Sequence, residues 1–195
     1  MGRIFCLMGK SSSGKDTIFK LLKDDLELNL KPIISYTTRP KRNNETDGIE
    51  YYFIDEDIIR DYAQSGKIIE KRVYNTVEGI WYYCTIDDGQ IDLTTGNYLF
   101  IATLDAYKNL KHYFGAENVV PIYITADDGL RLQRSLVREK QQQNPNFEEV
   151  CRRFLADNED FSAENLINNQ IAKSYVNHNL QECVSEIKQD LLKSV

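Results

Sequence analysis

The chain has 195 residues, a length typical of one domain carrying small lids rather than of two full-sized domains. Hydrophobic residues make up 42% and charged residues 28%, with 10 glycines and 4 prolines, which excludes collagen-like, disordered and disulfide-framework proteins. The 24 Lys and Arg against 30 Asp and Glu give a net charge of −6, which argues against a surface that grips nucleic acid or an anionic membrane. Small polyanions are still possible ligands, because a local cluster of cations can oppose the overall sign.

The cysteines and the hydropathy indicate a cellular compartment. Cys6, Cys84, Cys151 and Cys183 are widely separated and form no C-x-x-C pair, so neither a zinc site nor a disulfide scaffold is predicted. The first residues are not typical of a signal peptide, and no stretch approaches the ~20 apolar residues of a membrane span. We therefore expect a cytoplasmic protein with reduced thiols and no membrane association.

Hydrophobic patterning predicts strands and helices that alternate at both ends of the chain. The expected strands lie at 4–8, 32–36, 51–54, 68–74, 80–85, 97–102, 119–124 and 171–176. The expected helices lie at 16–23, 55–64, 127–140, 146–161 and 180–192. This order favours an α/β fold with a central parallel sheet flanked by helices, whereas the strand-rich middle is expected to form a separate lobe.

A phosphate-binding loop is the strongest local signal. Residues 9–15, GKSSSGK, have the spacing G-x-x-x-x-G-K directly after a predicted strand and before a predicted helix. The glycines let the backbone approach a phosphate, successive N–H groups form an anion nest, and Lys15 supplies a charge to the terminal phosphates. A glycine–serine linker gives no reason for this lysine. The predicted ATP phosphate site of this P-loop NTPase fold consists of Gly9, Ser11, Ser12, Ser13, Gly14, Lys15, Asp16 and Thr17.

The residue after the lysine departs from the usual loop. A Ser or Thr is expected there to coordinate Mg²⁺, but the chain has Asp16, followed by Thr17. One interpretation is that the Asp16 carboxylate binds Mg²⁺ directly or through water, since this ion prefers oxygen ligands. The alternative is an acidic residue that interacts only with the helix dipole.

A second phosphate site is indicated by a basic segment. Lys31, Arg39, Lys41 and Arg42 fall within 31–42 without any acid, a local charge of +4 that leaves −10 for the rest of the chain. Arginine side chains bind phosphate through two parallel hydrogen bonds, so the segment suits a second phosphate. A solvated basic loop is the alternative.

The surrounding sequence resembles a known family. Residues 35–53, SYTTRPKRNNETDGIEYYF, match the guanylate kinase pattern S-x-T-T-R-x-x-R-x-x-E-x-x-G-x-x-Y-x-F, and with the upstream loop the resemblance covers essentially the whole chain. It implies that Ser35, Arg39, Arg42 and Tyr51 hold the phosphate of GMP and that Glu70 reads guanine. A carboxylate suits this task because guanine presents N1–H and N2–H₂ donors, whereas a surface acid at the end of a strand is the alternative for Glu70.

Two further segments match the family less closely. The family's Y-G-[ST] is best matched by Tyr83-Cys84-Thr85, although about four additional residues, 75–78, precede it in this chain. The match implies that Tyr83 contacts the phosphate and Thr85 the base. An alternative alignment uses Tyr74. The family's L-[DE]-[IV]-D-x-Q-G corresponds to 100–107, FIATLDAY, which lacks the usual acids. Asp105 is displaced there and is alternatively a helix cap.

The resemblance also implies a helical lid. Arg134 and Arg138 lie four residues apart on one predicted helix and Arg153 follows on the next, matching the lid arginines that close over the phosphates. The implied catalytic residues are Lys15, Arg39, Arg42, Arg134, Arg138 and Arg153. The late segment 176–180, VNHNL, resembles the family's V-N-D-D-L near the adenine site.

The expected function is transfer of a phosphoryl group from MgATP to GMP. The expected core covers about 1–35, 94–130 and 165–195, the GMP-binding lobe 36–93 and the lid 131–160. The expected partners are ATP, Mg²⁺ and GMP, without nucleic acid or membrane. A non-catalytic interaction module with a guanylate-kinase-like fold, or a P-loop kinase for another small phosphorylated acceptor, are the alternatives.

Overall fold

The computed structural model describes residues 1–42, 45–76 and 79–194. Its strands are β1 (Ile4–Gly9), β2 (Lys31–Pro32), β3 (Tyr36–Thr37), β4 (Tyr52–Phe53), β5 (Ile68–Thr76), β6 (Gly79–Ile86), β7 (Tyr98–Ile101), β8 (Val119–Thr125) and β9 (Ser174–Val176). Its helices are α1 (Lys15–Lys23), α2 (Glu56–Gln64), α3 (Leu104–Phe114), α4 (Asp128–Lys140), α5 (Phe147–Asp160), α6 (Ala163–Asn168) and α7 (Leu180–Ser194). A 3₁₀ turn covers Ala116–Asn118.

The central sheet is parallel and has the strand order β2-β7-β1-β8-β9. β1 is buried along its whole length, and successive side chains of a strand point to opposite faces. Ile4, Cys6 and Met8 accordingly enter one apolar cluster, and Phe5 and Leu7 enter the other. The apolar run predicted at 4–8 is therefore a strand covered on both faces, as parallel sheets require.

Helices cover both faces of this sheet, which confirms the predicted fold class. α3 packs Leu104, Tyr107 and Leu110 into the first cluster. α1 and α7 pack on the other face, through side chains that include Ile18 and Ile187. Because β1 lies at the middle of the sheet, the loop after it opens at the carboxyl edge, where α/β sheets place their ligands.

A second, four-stranded sheet has the order β4-β3-β6-β5 and is mixed, with β3 parallel to β4 and antiparallel to β6. One face packs on α2 through Ile59, together with Tyr36, Cys84 and Ile86. Most of the elements predicted in the middle of the chain are confirmed within one or two residues.

The predicted strand at 32–36 is wrong as a single element. Lys31–Pro32 pairs with β7 in the central sheet, whereas Tyr36–Thr37 pairs with β4 and β6 in the small sheet. The chain passes from the central sheet to the small sheet at this point, so residues predicted as one strand form hydrogen bonds in two different sheets. The last strand is also shorter than the predicted 171–176, since it begins at Ser174.

α3 and α6 were not predicted from the hydrophobic pattern. Thr103 is the N-cap of α3 and accepts a hydrogen bond from the Ala106 N–H, so the alternative that Asp105 caps this helix is wrong. Asp105 lies in the first turn, is exposed and pairs with Lys108. No helix in the described ranges is long and apolar enough to cross a membrane.

Candidate active site

The phosphate loop is held in a tight turn between β1 and α1. Ser12 has φ 60° and Gly14 has φ 94°, so two residues of the loop adopt left-handed backbone. A Cβ on Gly9 would lie 2.5 Å from the Ile124 carbonyl oxygen, and one on Gly14 would lie 2.3 Å from Asn177 Nδ2. Both glycines are therefore required by close approach, which is the mechanical reason for the G-x-x-x-x-G spacing.

Ser13 lies at the bottom of the loop and is fully buried. Its carbonyl oxygen accepts a hydrogen bond from Asn177 Nδ2 at 2.8 Å, and its N–H donates to the Lys10 carbonyl at 3.2 Å. Asn177 belongs to the late VNHNL segment, so that segment supports the loop from below. The Ser13 hydroxyl has no hydrogen-bond partner among the described residues.

A cleft of about 490 Å³ opens beside the loop. Its lining residues come from the loop and α1, from the lid and from the late segment: Ser12, Gly14, Asp16, Thr17, Arg134, Arg138, Asn177, His178 and Leu180. Lys15 is half-buried at the start of α1 and has no ion pair within the described ranges. Arg134 and Arg138 have no ion pair among the described residues, so the charge of the cleft suits a polyanion.

The lid arginines divide into two groups. Arg134 and Arg138 line the cleft, and Arg134 Nη1 reaches the Ser12 carbonyl oxygen at 3.4 Å. Arg153 is exposed and its Nε donates to Glu149 at 2.6 Å, outside the lining of this cleft. Hydrogen bonds from Arg152 and then Arg153 lower the pKa of Glu149 to about 2 against the effect of partial burial. The structure thus brings two of the three predicted lid arginines to the loop.

Sequence analysis missed a buried network that fastens the lid to the phosphate loop. Arg131 has only 1% of its surface exposed, and its Nε donates to the Ser11 carbonyl at 3.0 Å. Asp157 Oδ2 accepts from the Ser11 N–H at 2.7 Å and from Arg131 Nη2 at 3.0 Å. Arg131 also pairs with Asp128, and Lys10 Nζ donates to Asn158 at 2.6 Å. α4 and α5 are therefore fastened to the loop by charge-assisted hydrogen bonds.

Arg39 is the buried cation of the small sheet, with 4% of its surface exposed. Its Nη2 donates to Glu45 Oε1 at 2.7 Å, and its Nε donates to the Tyr83 hydroxyl at 3.1 Å. The guanidinium also lies 5.7 Å from the ring centres of Tyr51 and Phe53. Burial is the largest single influence on the pKa of Arg39 and lowers it, but hydrogen bonds and charge interactions with Glu45 and Tyr83 together outweigh it, and the net shift is upward. Arg39 is thus a fully charged, positioned guanidinium.

The remaining residues predicted for the GMP phosphate lie around this guanidinium. Ser35 is buried at the entry to β3, and the Arg42 N–H donates to Glu45 Oε2 at 2.8 Å while its side chain is exposed. Tyr83 lies between the rings of Tyr51 and Tyr74, with centroids 5.5 Å and 5.4 Å away. Motif positions 43 and 44, and 77 and 78 of the longer hairpin, lie outside the described residues.

Glu70 lies on the same face of the small sheet and its side chain is fully buried. A β-bulge between Ile68 and Glu70 shifts the register so that Glu70 faces Thr85 on β6. Thr85 Oγ1 donates to Glu70 Oε1 at 2.9 Å. Glu70 and Thr85, both predicted to contact the base, therefore lie side by side, whereas Cys84, where the family has glycine, points into the opposite apolar face.

Arg72, two residues further along β5, also went unnoticed in the sequence. Its Nε donates to Glu70 Oε2 at 3.0 Å and its Nη2 to Glu70 Oε1 at 3.2 Å, a forked pair. Its guanidinium carbon lies 5.9 Å from the Tyr83 ring centre. The period of two along a strand, which places residues 70 and 72 on one face, was the signal that predicts this contact.

Tyr51 on the small sheet interacts electrostatically with Asp16 of α1. Burial raises the pKa of Tyr51, the charges of Tyr83 and Asp16 add to the rise, and Arg72 and Arg39 oppose it. The Asp16 carboxylate of α1 is therefore within electrostatic range of the small sheet.

The residues around the loop fit a magnesium ion that arrives with a nucleotide. No three His, Cys, Asp or Glu side chains cluster as a metal cage in the described parts of the chain. Mg²⁺ in nucleotide sites is usually held by one or two carboxylates together with phosphate oxygens and water. Asp16 and Thr17 supply a carboxylate and a hydroxyl in the cleft lining, and Asp16 is exposed and has no ion pair among the described residues.

Comparison with known proteins gives one consistent result. The family model described as guanylate kinase matches residues 1–187. A guanylate kinase of Mesomycoplasma hyopneumoniae strain J is 26% identical over 205 residues, which cover 100% of this chain and 96% of that protein. A guanylate kinase of Mycoplasma mobile is 29% identical over 202 residues, with 100% and 94% coverage.

The fold of this chain is also similar to that of a solved structure. The crystal structure of guanylate kinase from Anaplasma phagocytophilum superposes with a TM-score of 0.63 and 22% sequence identity. The match covers 98% of this chain and 85% of that one. This likeness extends the shared α/β architecture over nearly the whole molecule.

Proposed function

The chain belongs to the guanylate kinase family, and on that premise we propose that it transfers the γ-phosphoryl group of ATP to GMP, giving ADP and GDP. One observation carries the proposal most strongly. The phosphate loop carries Lys15, which has no ion pair in the described ranges, and the small sheet of the same chain holds the positioned guanidinium of Arg39. Two sites for phosphate that face each other are what transfer between two nucleotides requires.

The donor triphosphate is proposed to lie along the loop. The N–H groups of Ser12, Gly14 and Lys15 and the positive end of α1 attract its β- and γ-phosphates, and the Lys15 side chain adds a full charge. Arg134 and Arg138 reach the same cleft from α4. The adenosine would extend toward His178 and Leu180, which line the outer part of the cleft.

The acceptor nucleotide is proposed to lie on the small sheet. Arg39, Arg42, Ser35, Tyr51 and Tyr83 would bind its phosphate. The base would lie at the other end of the same face, where Glu70 accepts a hydrogen bond from a ring N–H group and Thr85 Oγ1 donates to the Glu70 carboxylate. The acceptor phosphate would then lie beside Tyr51, which interacts electrostatically with Asp16 beside the phosphate loop.

The reaction needs alignment and charge neutralisation more than a general base. The second pKa of a phosphate ester is about 6, so the attacking oxygen of GMP is already largely ionised at neutral pH. The obstacle is repulsion between two polyanions and the charge spread over the transferred group. We expect Lys15, Arg39 and Arg134 to surround that charge, and preorganised cations in a closed site act more strongly than they do in water.

Magnesium, when bound, neutralises charge on the β- and γ-phosphates and lowers the repulsion toward the acceptor. Asp16 and Thr17 are the residues proposed to hold it. The lid arginines shield the same group from water, which favours transfer over hydrolysis. Arg153 would join them only by exchanging Glu149 for a phosphate oxygen.

A scan of acceptors tests the proposal. Purified protein with MgATP should form GDP from GMP at least about 100-fold faster than it phosphorylates AMP, CMP or UMP, because the alternatives leave Glu70 without N–H donors or misplace the phosphate. The Lys15→Ala protein, purified in parallel, controls for contaminating kinases. Preferential turnover of another monophosphate would assign a different acceptor, and no turnover by a folded protein would favour a non-catalytic interaction module.

A further inference from the structure

The carboxylate of Glu70 is largely occupied before any nucleotide arrives. A carboxylate offers about four lone-pair sites to hydrogen-bond donors. Glu70 Oε1 accepts from Arg72 Nη2 at 3.2 Å and from Thr85 Oγ1 at 2.9 Å, and Oε2 accepts from Arg72 Nε at 3.0 Å. One free site is therefore left, on Oε2. A guanine that offers both N1–H and N2–H₂ finds room for a single hydrogen bond.

Arg72, in contrast to Glu70, has several hydrogen-bonding groups that no residue in the described ranges uses. A guanidinium carries five N–H donors, and two of those of Arg72 are directed at Glu70. The other three have no acceptor among the described residues. The Arg72 side chain is 20% exposed, on the face that carries Glu70 and Tyr83. The two side chains together present one acceptor site next to several donors.

Residues 70 and 72 hold this arrangement because the sheet fixes both. The bulge places Glu70 opposite Thr85, and the regular register beyond it places Arg72 opposite Tyr83. Burial is the largest single influence on the pKa of Arg72 and lowers it, but Coulombic attraction and hydrogen bonding from Glu70, with smaller contributions from Tyr74 and Tyr51, together raise it. A forked, buried pair of this kind is geometrically specific.

We propose that Arg72 is a specificity-determining residue and that the Glu70–Arg72 pair, not Glu70 alone, reads the acceptor base as a 6-oxopurine. The free site on Oε2 accepts N1–H, and the free N–H groups of Arg72 donate to the neighbouring O6. Adenine has no hydrogen on N1 for Glu70 and turns a 6-amino group toward the guanidinium. The 2-amino group of guanine has no free acceptor on the carboxylate and adds little.

The inference rests on the proposed function and makes a prediction that a lone carboxylate does not. Hypoxanthine shares O6 and N1–H with guanine but lacks the 2-amino group. IMP should therefore be phosphorylated with a kcat/KM within about tenfold of that for GMP, whereas AMP should be at least about 100-fold worse, as expected when buried polar groups lose their partners. A carboxylate free to accept two hydrogen bonds would instead discriminate strongly against IMP.

Three proteins test the assignment with GMP, IMP and AMP: Arg72→Ala, Arg72→Lys, and Lys71→Ala as the matched control. Lys71 is exposed on the other face of the strand, over Tyr82, and its replacement should leave all ratios unchanged. Arg72→Ala frees the carboxylate and removes the donor for O6. The ratio of kcat/KM for GMP to that for IMP should rise about tenfold, and the ratio for 6-oxopurines to that for AMP should fall about tenfold. A factor of this size corresponds to one hydrogen bond to a charged group.

Arg72→Lys keeps a positive charge beside the buried Glu70 and so protects folding, but it cannot engage both oxygens as a fork. Arg72→Lys should shift both ratios of kcat/KM in the same directions as Arg72→Ala, but by a smaller factor. A wild-type preference for GMP over IMP above about 100-fold, or Arg72 variants that lower all three acceptors equally, would overturn the proposal. If no acceptor is turned over, the proposed function fails, and equilibrium dissociation constants of GMP, IMP and AMP still decide the inference by the same ratios.

Discussion

The phosphate loop and the small sheet hold their cations in opposite ways. At the loop, Lys15 has no ion pair in the described ranges, and Arg134 reaches only a carbonyl oxygen. On the small sheet, Arg39 and Arg72 are each paired with a buried carboxylate, Glu45 and Glu70. The cations of the first region are therefore available to an anion, whereas the charges of Arg39 and Arg72 are already balanced by carboxylates before a ligand binds.

Because of this difference, we expect removal of a cation to affect activity alone at the loop, and both activity and stability on the small sheet. An unpaired surface-facing cation contributes little to folding, so its removal should cost rate alone. A buried ion pair behaves differently, because removing one partner leaves an uncompensated charge and destabilises the fold by about 3–5 kcal/mol. The small sheet therefore combines binding with structure, and the loop leaves structure to its glycines and to the lid contacts.

The largest expected effect belongs to Lys15. Lys15→Ala should lower kcat for GDP formation by about 10³-fold, since a preorganised cation at the transferred group contributes several kcal/mol. The midpoint of thermal unfolding should stay within about 2 °C of wild type, as for a surface substitution. Lys20→Ala, exposed on the same helix, is the control for both measurements. A kcat within tenfold of wild type would contradict the assigned role.

Arg39→Ala should damage both properties at once. We expect a loss of about 10²-fold in kcat/KM for GMP and a fall of about 3 kcal/mol in the free energy of unfolding, because Glu45 would be left buried without its partner. Urea denaturation and initial rates measure the two. Arg60→Ala breaks the exposed pair with Asp57 and should cost at most about 0.5 kcal/mol. Equal costs for both variants would break the comparison between the regions.

Asp157→Ala tests whether the lid network supports the loop. Without this carboxylate the Ser11 N–H and the buried Arg131 lose a shared acceptor, and we expect a loss of about 2–3 kcal/mol in the free energy of unfolding. The affinity for ATP should fall with it, since the loop is less well positioned. Glu159→Ala, exposed on the same helix, serves as the control. Unchanged stability in urea would show that the network is dispensable.

Asp16→Ser distinguishes the two interpretations of the atypical loop. If Asp16 helps to hold magnesium, the concentration of Mg²⁺ at half-maximal rate should rise by about three- to tenfold, because a carboxylate ligand is replaced by a hydroxyl. An acid that serves only the helix dipole would leave the metal titration unchanged and alter stability by about 0.3–1 kcal/mol.

The smallest expected effect is a pH dependence at Glu149. Its pKa lies at about 2 in the folded protein against an ordinary 4.5, so its contribution to stability is fully present above about pH 4.5 and is lost as the pH falls toward 2. The pair is partly exposed, which limits the contribution to about 1 kcal/mol. The difference in the free energy of unfolding between wild type and Glu149→Gln should shrink as the pH falls from about 4.5 toward 2. The difference between wild type and Glu148→Gln should not change in this way.

The sequence predicted what depends on local spacing. The phosphate loop, the flanking strand and helix and the S-x-T-T-R segment are short patterns whose function follows from consecutive residues. The contact of Ser11 with Asp157 joins positions 146 apart, and the bulge that turns Glu70 toward Thr85 leaves no mark in a hydrophobic pattern. Neither could be predicted without the tertiary arrangement, and the strand predicted at 32–36 failed because the chain changes sheets there.

The central claim is that one chain holds two nucleotides with their phosphates facing each other. An adenosine and a guanosine joined through five phosphates span both sites at once, and calorimetry measures how it binds. The account predicts one molecule bound per chain, at least about 100-fold more tightly than GMP alone, and displaced by both ATP and GMP. Displacement by only one of the two nucleotides, or an affinity no better than that of GMP, would contradict it.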